Sequence, residues 1–335
     1  MNELIRIEQL WKVFGGRRDA DPETHLQDPL ARVAVRDVSL TIGEGEIFVV
    51  MGLSGSGKST LLRMLNGLIQ PSAGEILVSG RRLGDLSGSE LRMLRRRSMA
   101  MVFQSFALFP HRSALENAAF GLEVAGMPKR QRQERAQQAL ERVGLGNDLH
   151  RRPDQLSGGM RQRVGLARAL ALDPPILLMD EAFSALDPLI RRDMQDLLLD
   201  LQREHRRTVV FISHDLDEAV RIGDRIALMQ EGRLLQCGTA EELLRHPAEE
   251  AVSRFFKAVD ASAVLRVGAL AEPAPDGMVL DLGNRSFPLL NAATLVRDAI
   301  PTVARANRPV PVVGDDHHLI GVVTPQTLLR AIATP

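Results

Sequence analysis

Polarity alternates at the start of the chain. Residues 3–10 (ELIRIEQL) and 32–41 (RVAVRDVSLT) change character at nearly every step, as at Val33, Val35 and Val38, and read as strands. Between them GGRRDADPETHLQDPLAR is rich in Gly, Pro and charge and reads as an inserted surface loop. EIFVVMG is a short apolar run ending at glycine; a glycine-rich turn and STLLRMLNGL, with helical spacing, follow it. Residues 87–97 (SGSELRMLRRR) predict a capped helix, and Ala100 to Phe103 a buried strand. The stretch 110–170 is mostly helical: a segment after Pro110, a polar helix from Pro128 to about Val143, and a helix after Ser157. PILLMD and TVVFIS are continuous apolar runs separated by an amphipathic helix from about Pro188 to His205. Strands of that kind are buried on both faces, the habit of parallel sheets, so the pattern predicts an α/β core. From Arg225, RIALMQEGRLLQCG predicts a hairpin that leads into the helix TAEELLRH. After about Lys257 the texture shifts to Ala, Val and Pro, which places a domain boundary there.

Composition narrows the function classes. A length of 335 residues implies about two domains. Apolar residues make up 44% and charged residues 25%, the usage of an ordinary globular chain rather than a disordered one. Lys and Arg number 42 and so do Asp and Glu, and a net charge of zero speaks against binding nucleic acid through bulk positive charge. The single cysteine, Cys237, excludes an intrachain disulfide and speaks against a cysteine-ligated zinc site. No apolar run reaches the length of a membrane span, and the start carries Glu3 and Glu8 in place of a signal-peptide core, so a cytoplasmic location is expected. Only four of the 42 basic residues are lysine: Lys12, Lys58, Lys129 and Lys257.

One of those lysines sits in the sharpest local signal. Gly52-Leu53-Ser54-Gly55-Ser56-Gly57-Lys58-Ser59, followed by Thr60, matches G-x-x-x-x-G-K-[ST] between an expected strand and an expected helix. Its glycines let backbone N–H groups turn inward around phosphate oxygens at the positive end of the helix. Lys58 would contact the β- and γ-phosphates, and the Ser59 hydroxyl would ligate Mg²⁺. The run Ile176–Met179 ends in Asp180-Glu181. An acid there suits Mg²⁺ held through water, for Asp180, and a second acid suits polarising or deprotonating an attacking water, for Glu181. Leu156-Ser157-Gly158-Gly159-Met160-Arg161-Gln162 forms a second anion cradle at a helix N-terminus. One nucleotide needs only one cradle, so the second is expected to serve a nucleotide on another copy of the chain. The Arg95–Arg97 cluster reads as a solvated helix face, and Asp315-Asp316-His317-His318 as a hairpin turn.

With these motifs in this order, residues 3–257 resemble the ATP-binding subunits of ABC transporters. The resemblance implies a P-loop NTPase cassette with a helical subdomain at about 105–165. Gln104 in MVFQSF would link Mg²⁺ and the attacking water to the membrane subunit. Ser184-Ala185-Leu186-Asp187 would cross the dimer interface, and His214 would contact the γ-phosphate. The adenine-stacking aromatic falls at Phe14, with Trp11 as the alternative. A head-to-tail homodimer is implied, with two ATP molecules between Lys58, Ser59, Gln104, Asp180, Glu181 and His214 of one subunit and Ser157 and Gly159 of the other. Phe106, Phe109 and His111 would either meet a pair of permease subunits or pack the helical subdomain.

MGLSGSGKST, MVFQSFALFPH, LSGGMRQRVGLARALA and LLMDEAFSALDPLIRRDMQD are similar to the ATPases of glycine betaine/proline and related quaternary-amine importers, as is the loop after Phe14. That similarity implies a peripheral subunit on the cytoplasmic face of the bacterial inner membrane, energising uptake of glycine betaine, proline or choline with permease subunits and a solute-binding protein, and binding no nucleic acid. An importer of another small solute, such as an amino acid, is the main alternative, and a soluble non-transport ABC ATPase a weaker one. Residues 258–335 would be a small α+β regulatory or dimerisation domain. From about 289, and most clearly in VPVVGDDHHLIGVVTPQTLLRAI, it resembles a single CBS motif.

Overall fold

The structure is a computed structural model that describes residues 2–15, 21–257, 259–274, 288–306, 308–316 and 318–333. Part of the insert after Phe14 (16–20) and His317 of the acid–histidine run lie outside the described residues. By the density of its internal contacts the chain divides into Met1–Cys237 and Gly238–Pro335.

In the first unit, β1 (Glu3–Phe14) and β2 (Arg32–Gly43) pair antiparallel. With β4 (Ala73–Val78) and β5 (Arg81–Arg82) they form a sheet of order β2-β1-β4-β5. The register of β1 shifts between Ile7 and Leu10, where Gln9 takes a left-handed φ of 44°. A bulge of this kind changes which parity of side chain points inward. Ile5 and Ile7 are buried before it and Leu10 after it, and the register shifts again between Leu10 and Lys12, where the adjacent Trp11 is buried as well.

The second sheet has the order β10-β9-β3-β8-β7-β6. It is built from β3 (Ile47–Met51), β6 (Met99–Phe103), β7 (Ile176–Asp180), β8 (Thr208–Ser213), β9 (Arg225–Gln230) and β10 (Arg233–Gly238). From β9 to β6 all neighbours are parallel. Every residue of β3, β7 and β8 is buried, which is why these strands carry unbroken apolar runs. Register aligns the carboxyl ends: Met51 lies opposite Ser213, Ile212 opposite Asp180, and Asp180 opposite Phe103. The chain segments that leave these four strands thus emerge side by side along one edge, where open α/β sheets place their ligands.

Helices α1 (Lys58–Leu65) and α2 (Gly88–Ser98) follow β3 and β5. Ser87 and Glu90 close a reciprocal capping box on α2; of the expected solvated cluster on its last turn Arg96 and Arg97 are exposed, while Arg95 is half-buried and donates to Leu91 O at 3.3 Å. The helical subdomain comprises α3 (Ala114–Val124), α4 (Lys129–Arg142) and α5 (Gly158–Leu170), which pack on one another. Phe109 packs within it, 4.6 Å from the Phe120 ring and 6.1 Å from the His111 ring. Asp187 and Asp215 cap α6 (Pro188–Glu204) and α7 (Leu216–Ile222).

The second unit opens with α8 (Ala240–Arg245) and α9 (Glu250–Phe256). It continues with β11 (Leu290–Asn291), α10 (Val296–Ala306), β12 (Val310–Val313), β13 (Leu319–Val323) and α11 (Pro325–Ala333). β12 lies between a parallel β11 and an antiparallel β13. The strand–strand–helix pattern expected over Val310–Ile332 is present as β12, β13 and α11. The contact division falls twenty residues before the shift in texture at Lys257. Leu244 of α8 packs against the second unit's core of Leu265, Val296, Val303, Val310 and Leu328, so the segment ahead of Lys257 already belongs to that core. Among the described residues no helix is long and apolar enough to cross a membrane.

Candidate functional site

The loop between β3 and α1 depends on its glycines. Gly52 (φ 154°), Gly55 (φ 84°) and Gly57 (φ 96°) all have positive φ. A Cβ at Gly52 would meet Met229 O at 2.1 Å, and one at Gly57 would meet Ala34 O at 2.2 Å. Backbone carbonyls cannot swing aside, so only glycine fits either position. Gly57 caps α1, whose first turn holds no acidic residue, and the positive end of the helix dipole therefore faces the loop uncompensated.

Lys58 is 4% exposed. Its ammonium donates to Gly52 O at 2.7 Å and Leu53 O at 2.9 Å, so the loop wraps around it. Burial pulls the Lys58 pKa down, and the negative charges of Glu181 and Asp180 oppose the pull. The neighbouring Ser59 hydroxyl donates to Asp180 Oδ1 at 2.8 Å across from β7. Arg63, one turn further along α1, lies 3.8 Å from the other carboxylate oxygen.

Beyond β7 the chain turns at Glu181, whose φ of 46° is left-handed and costly for a residue with a side chain. Gln104, the first residue after β6, donates from Nε2 to Glu181 Oε2 at 3.3 Å and to Ser184 Oγ at 3.1 Å. His214, the first residue after β8, places Nδ1 3.5 Å from Glu181 Oε2, an ion pair when the imidazole is protonated. Glu181 is thus touched from both neighbouring strand ends.

A second layer holds this arrangement. Arg191 on α6 donates to Asp215 Oδ2 at 3.0 Å, Leu186 O at 3.1 Å and Ser184 O at 3.4 Å, tying the loop after Glu181 to the loop after His214. Glu218 is buried; its carboxylate accepts from Ser213 Oγ at 2.6 Å and Gln195 Nε2 at 3.1 Å. Burial raises the Glu218 pKa, partly offset by those two hydrogen bonds. Neither Arg191 nor Asp215 was singled out from the sequence: one is an arginine among many, and its partners lie up to 24 residues away.

The structure brings Lys58, Ser59, Gln104, Asp180, Glu181 and His214 together. Ser157, Gly158 and Gly159 stand apart from that group: Ser157 caps α5 by accepting from Met160 N at 3.2 Å, and a Cβ at Gly159 would meet Ile190 Cγ2 at 2.5 Å. No hydrogen bond joins these three residues to the β3–α1 loop among the described residues. Asp187 Oδ1 accepts from Ile190 N at 3.1 Å. Of the two aromatic candidates Trp11 is 7% exposed and serves the core, whereas Phe14 is 41% exposed beneath the Lys12 ammonium, 5.0 Å from its ring centre.

The donor set fits a triphosphate with a hard divalent cation. The glycines leave room for phosphate beside backbone N–H groups, Lys58 supplies positive charge, and Ser59 with Asp180 supplies oxygen ligands. A parallel sheet with this loop at one strand end and a paired acid two strands away defines a P-loop nucleotide-binding site.

Residues 35–184 match the ABC transporter family and residues 279–334 the CBS domain family. The glycine betaine/proline betaine transport system ATP-binding protein ProV of Salmonella typhimurium is 45% identical over 388 residues, covering 98% of this chain and 97% of the relative. The glycine betaine transport ATP-binding protein OpuAA of Bacillus subtilis is 42% identical, with 98% and 92% covered. The ATP-binding cassette MJ0796, solved as a post-hydrolysis dimer bound to ADP and Pi, superposes with a TM-score of 0.62 at 34% identity over 70% of this chain and 98% of that one. The chain belongs to the family of ABC-transporter ATP-binding proteins that contains the glycine betaine/proline betaine importer subunits.

Proposed function

We propose that the chain hydrolyses ATP to drive import of a quaternary-amine osmoprotectant such as glycine betaine, proline betaine or choline. Two copies would act with a pair of permease subunits at the cytoplasmic face of the membrane, fed by a solute-binding protein. The observation that carries this reading is the convergence of Lys58, Ser59, Gln104, Asp180, Glu181 and His214 from four parallel strands and their loops, in a chain nearly coextensive with importer ATPases.

In this reading the residues Gly52 to Thr60 cradle the phosphates, Lys58 neutralises the β- and γ-phosphates, and Phe14 stacks on the base. Ser59, Gln104 and Asp180 hold Mg²⁺, which when bound neutralises charge on the transferred phosphoryl group. Glu181 orients a water and takes its proton as the oxygen attacks phosphorus; the bond to the leaving ADP oxygen breaks in line. His214 steadies both Glu181 and the terminal phosphate. Ser157, Gly158 and Gly159 of a second copy complete the site from the other side, and Asp187 lies at the seam between copies. Loss of the terminal phosphate would then release the partner, and this opening would work the permease. The CBS-like segment serves regulation or pairing of the two copies.

The test is uptake in proteoliposomes holding this chain with permease subunits and a binding protein of a quaternary-amine importer. ATP-dependent accumulation of labelled glycine betaine, abolished by E181Q, is expected. Accumulation of an amino acid such as methionine with no quaternary-amine uptake would overturn the substrate assignment.

A further inference from the structure

The chain leaves β6 at Phe103, passes Gln104 and Ser105, and enters a turn of unusual geometry. Phe106 (φ 59°) and Ala107 (φ 48°) are successive left-handed residues, and neither is glycine. Ala107 N donates to Ser105 O at 2.6 Å, closing a three-residue ring around Phe106. A γ-turn with positive φ at its centre is the rarer, strained form, and it persists only where the surroundings hold it.

The surroundings here are one face of α5. Arg168 donates from Nη1 to Ala107 O at 2.6 Å and from Nη2 to Phe106 O at 3.2 Å. The Arg161 guanidinium sits 5.4 Å from the centre of the Phe106 ring. Between them a Cβ at Gly165 would meet Phe106 O at 3.6 Å, so the helix backbone itself lies against the turn. Positions 161, 165 and 168 share a helix face by their spacing. Arg168 forms no ion pair among the described residues, and burial lowers its pKa. Its charge is spent on the two carbonyls of the strained turn.

We propose that Arg168 is a positioning residue for Gln104. It holds the Phe106–Ala107 turn in its left-handed form and thereby keeps Gln104 Nε2 aimed at Glu181 Oε2 and Ser184 Oγ. This inference rests on the assignment of Gln104 to the ATP site given above. It also carries a consequence for the dimer, because α5 begins at Ser157-Gly158-Gly159. One rigid helix then bears on a partner's nucleotide at its N-terminus and on its own protomer's Gln104 near its C-terminus. A displacement of α5 produced at one site is delivered to the other through Arg168.

The test uses the full chain and five variants: R168Q, R168K, A107G, R168Q/A107G and R168K/A107G. R168Q is expected to bind ATP within about twofold of the wild type yet to lose about tenfold in kcat, the pattern of a lost positioning contact rather than a lost binding contact. Amide hydrogen exchange at residues 105–108 should quicken in parallel. Glycine adopts positive φ freely, so A107G removes the left-handed penalty at 107, though not at Phe106, and makes the turn easier to keep without the guanidinium. The double variant should recover part of the lost kcat, at least about threefold over R168Q, and exchange more slowly at 105–108 than R168Q, while A107G alone keeps kcat close to the wild type. A purely structural arginine would instead lower thermal stability with no recovery from A107G. Wild-type kcat and exchange in R168Q, or a double variant no better than R168Q, would overturn the proposal. If R168Q does not fold, R168K with and without A107G decides the matter by the same rescue. If the wild type hydrolyses no ATP, the function assignment fails, and the exchange measurements still report on the turn.

Discussion

Glu181→Gln separates chemistry from binding more cleanly than any other change to this site. The substitution keeps the shape of the side chain and one oxygen acceptor. The contacts it weakens are long, 3.3 Å to Gln104 and 3.5 Å to His214, so unfolding stability should move by less than about 0.5 kcal/mol. What disappears is the group that takes the proton from water. General-base catalysis contributes roughly 10²–10⁴ in rate, which is about 3–5 kcal/mol of barrier. A like charge beside the triphosphate disappears too, so ATP affinity should be unchanged or tighter. The checks are steady-state phosphate release, equilibrium ATP binding, and sedimentation with and without ATP. Turnover should fall by at least about a hundredfold while an ATP-dependent dimer accumulates. Turnover within about tenfold of the wild type would refute the role of Glu181 as base. A low-turnover variant that stays monomeric with ATP would refute the shared site.

Two further outcomes follow from packing and burial. Gly57→Ala forces a Cβ to 2.2 Å from Ala34 O at a φ of 96°. The combined backbone and overlap cost should destabilise the first unit by about 2–4 kcal/mol in urea unfolding and abolish ATP binding. A midpoint unchanged from the wild type would contradict that geometry. Glu218→Gln addresses the buried carboxyl whose pKa is raised above its ordinary 4.5. The folded chain holds that proton more tightly than the unfolded chain, so wild-type stability falls as pH rises from the ordinary value through the raised one. E218Q should match the wild type in acid and be the more stable of the two at neutral pH. A stability difference that does not change with pH would refute the assignment.

The sequence made the phosphate loop and the Asp180-Glu181 pair legible because each is a short contiguous motif on a strand end. Its apolar runs likewise marked β3, β7 and β8. Other features depend on contacts between distant segments. The register of β1 shifts at Gln9 and again between Leu10 and Val13, so alternation alone could not separate Trp11 in the core from Phe14 at the surface. Leu244 commits α8 to the second unit before any change in composition is visible. Arg191 and Asp215 are neighbours only because α6 and α7 begin beyond the ends of the adjacent strands β7 and β8. Strand β4, interrupted by Gly74, and the seven-residue helix α7 were not among the expected elements, and both are too short to show a clear periodic signal.

The strand order has a bearing on how this protein is made. β3 and β7 are not adjacent; β8 lies between them, although it follows both in the chain. A nascent polypeptide therefore carries the phosphate loop for some 150 residues before the strand that joins it to Asp180 leaves the ribosome. Until Thr208–Ser213 inserts, two apolar strand edges stay open, and nucleotide cannot template their closure. Maturation of such a chain is late and cooperative, and the interval before insertion is when chaperone capture or aggregation would compete with folding.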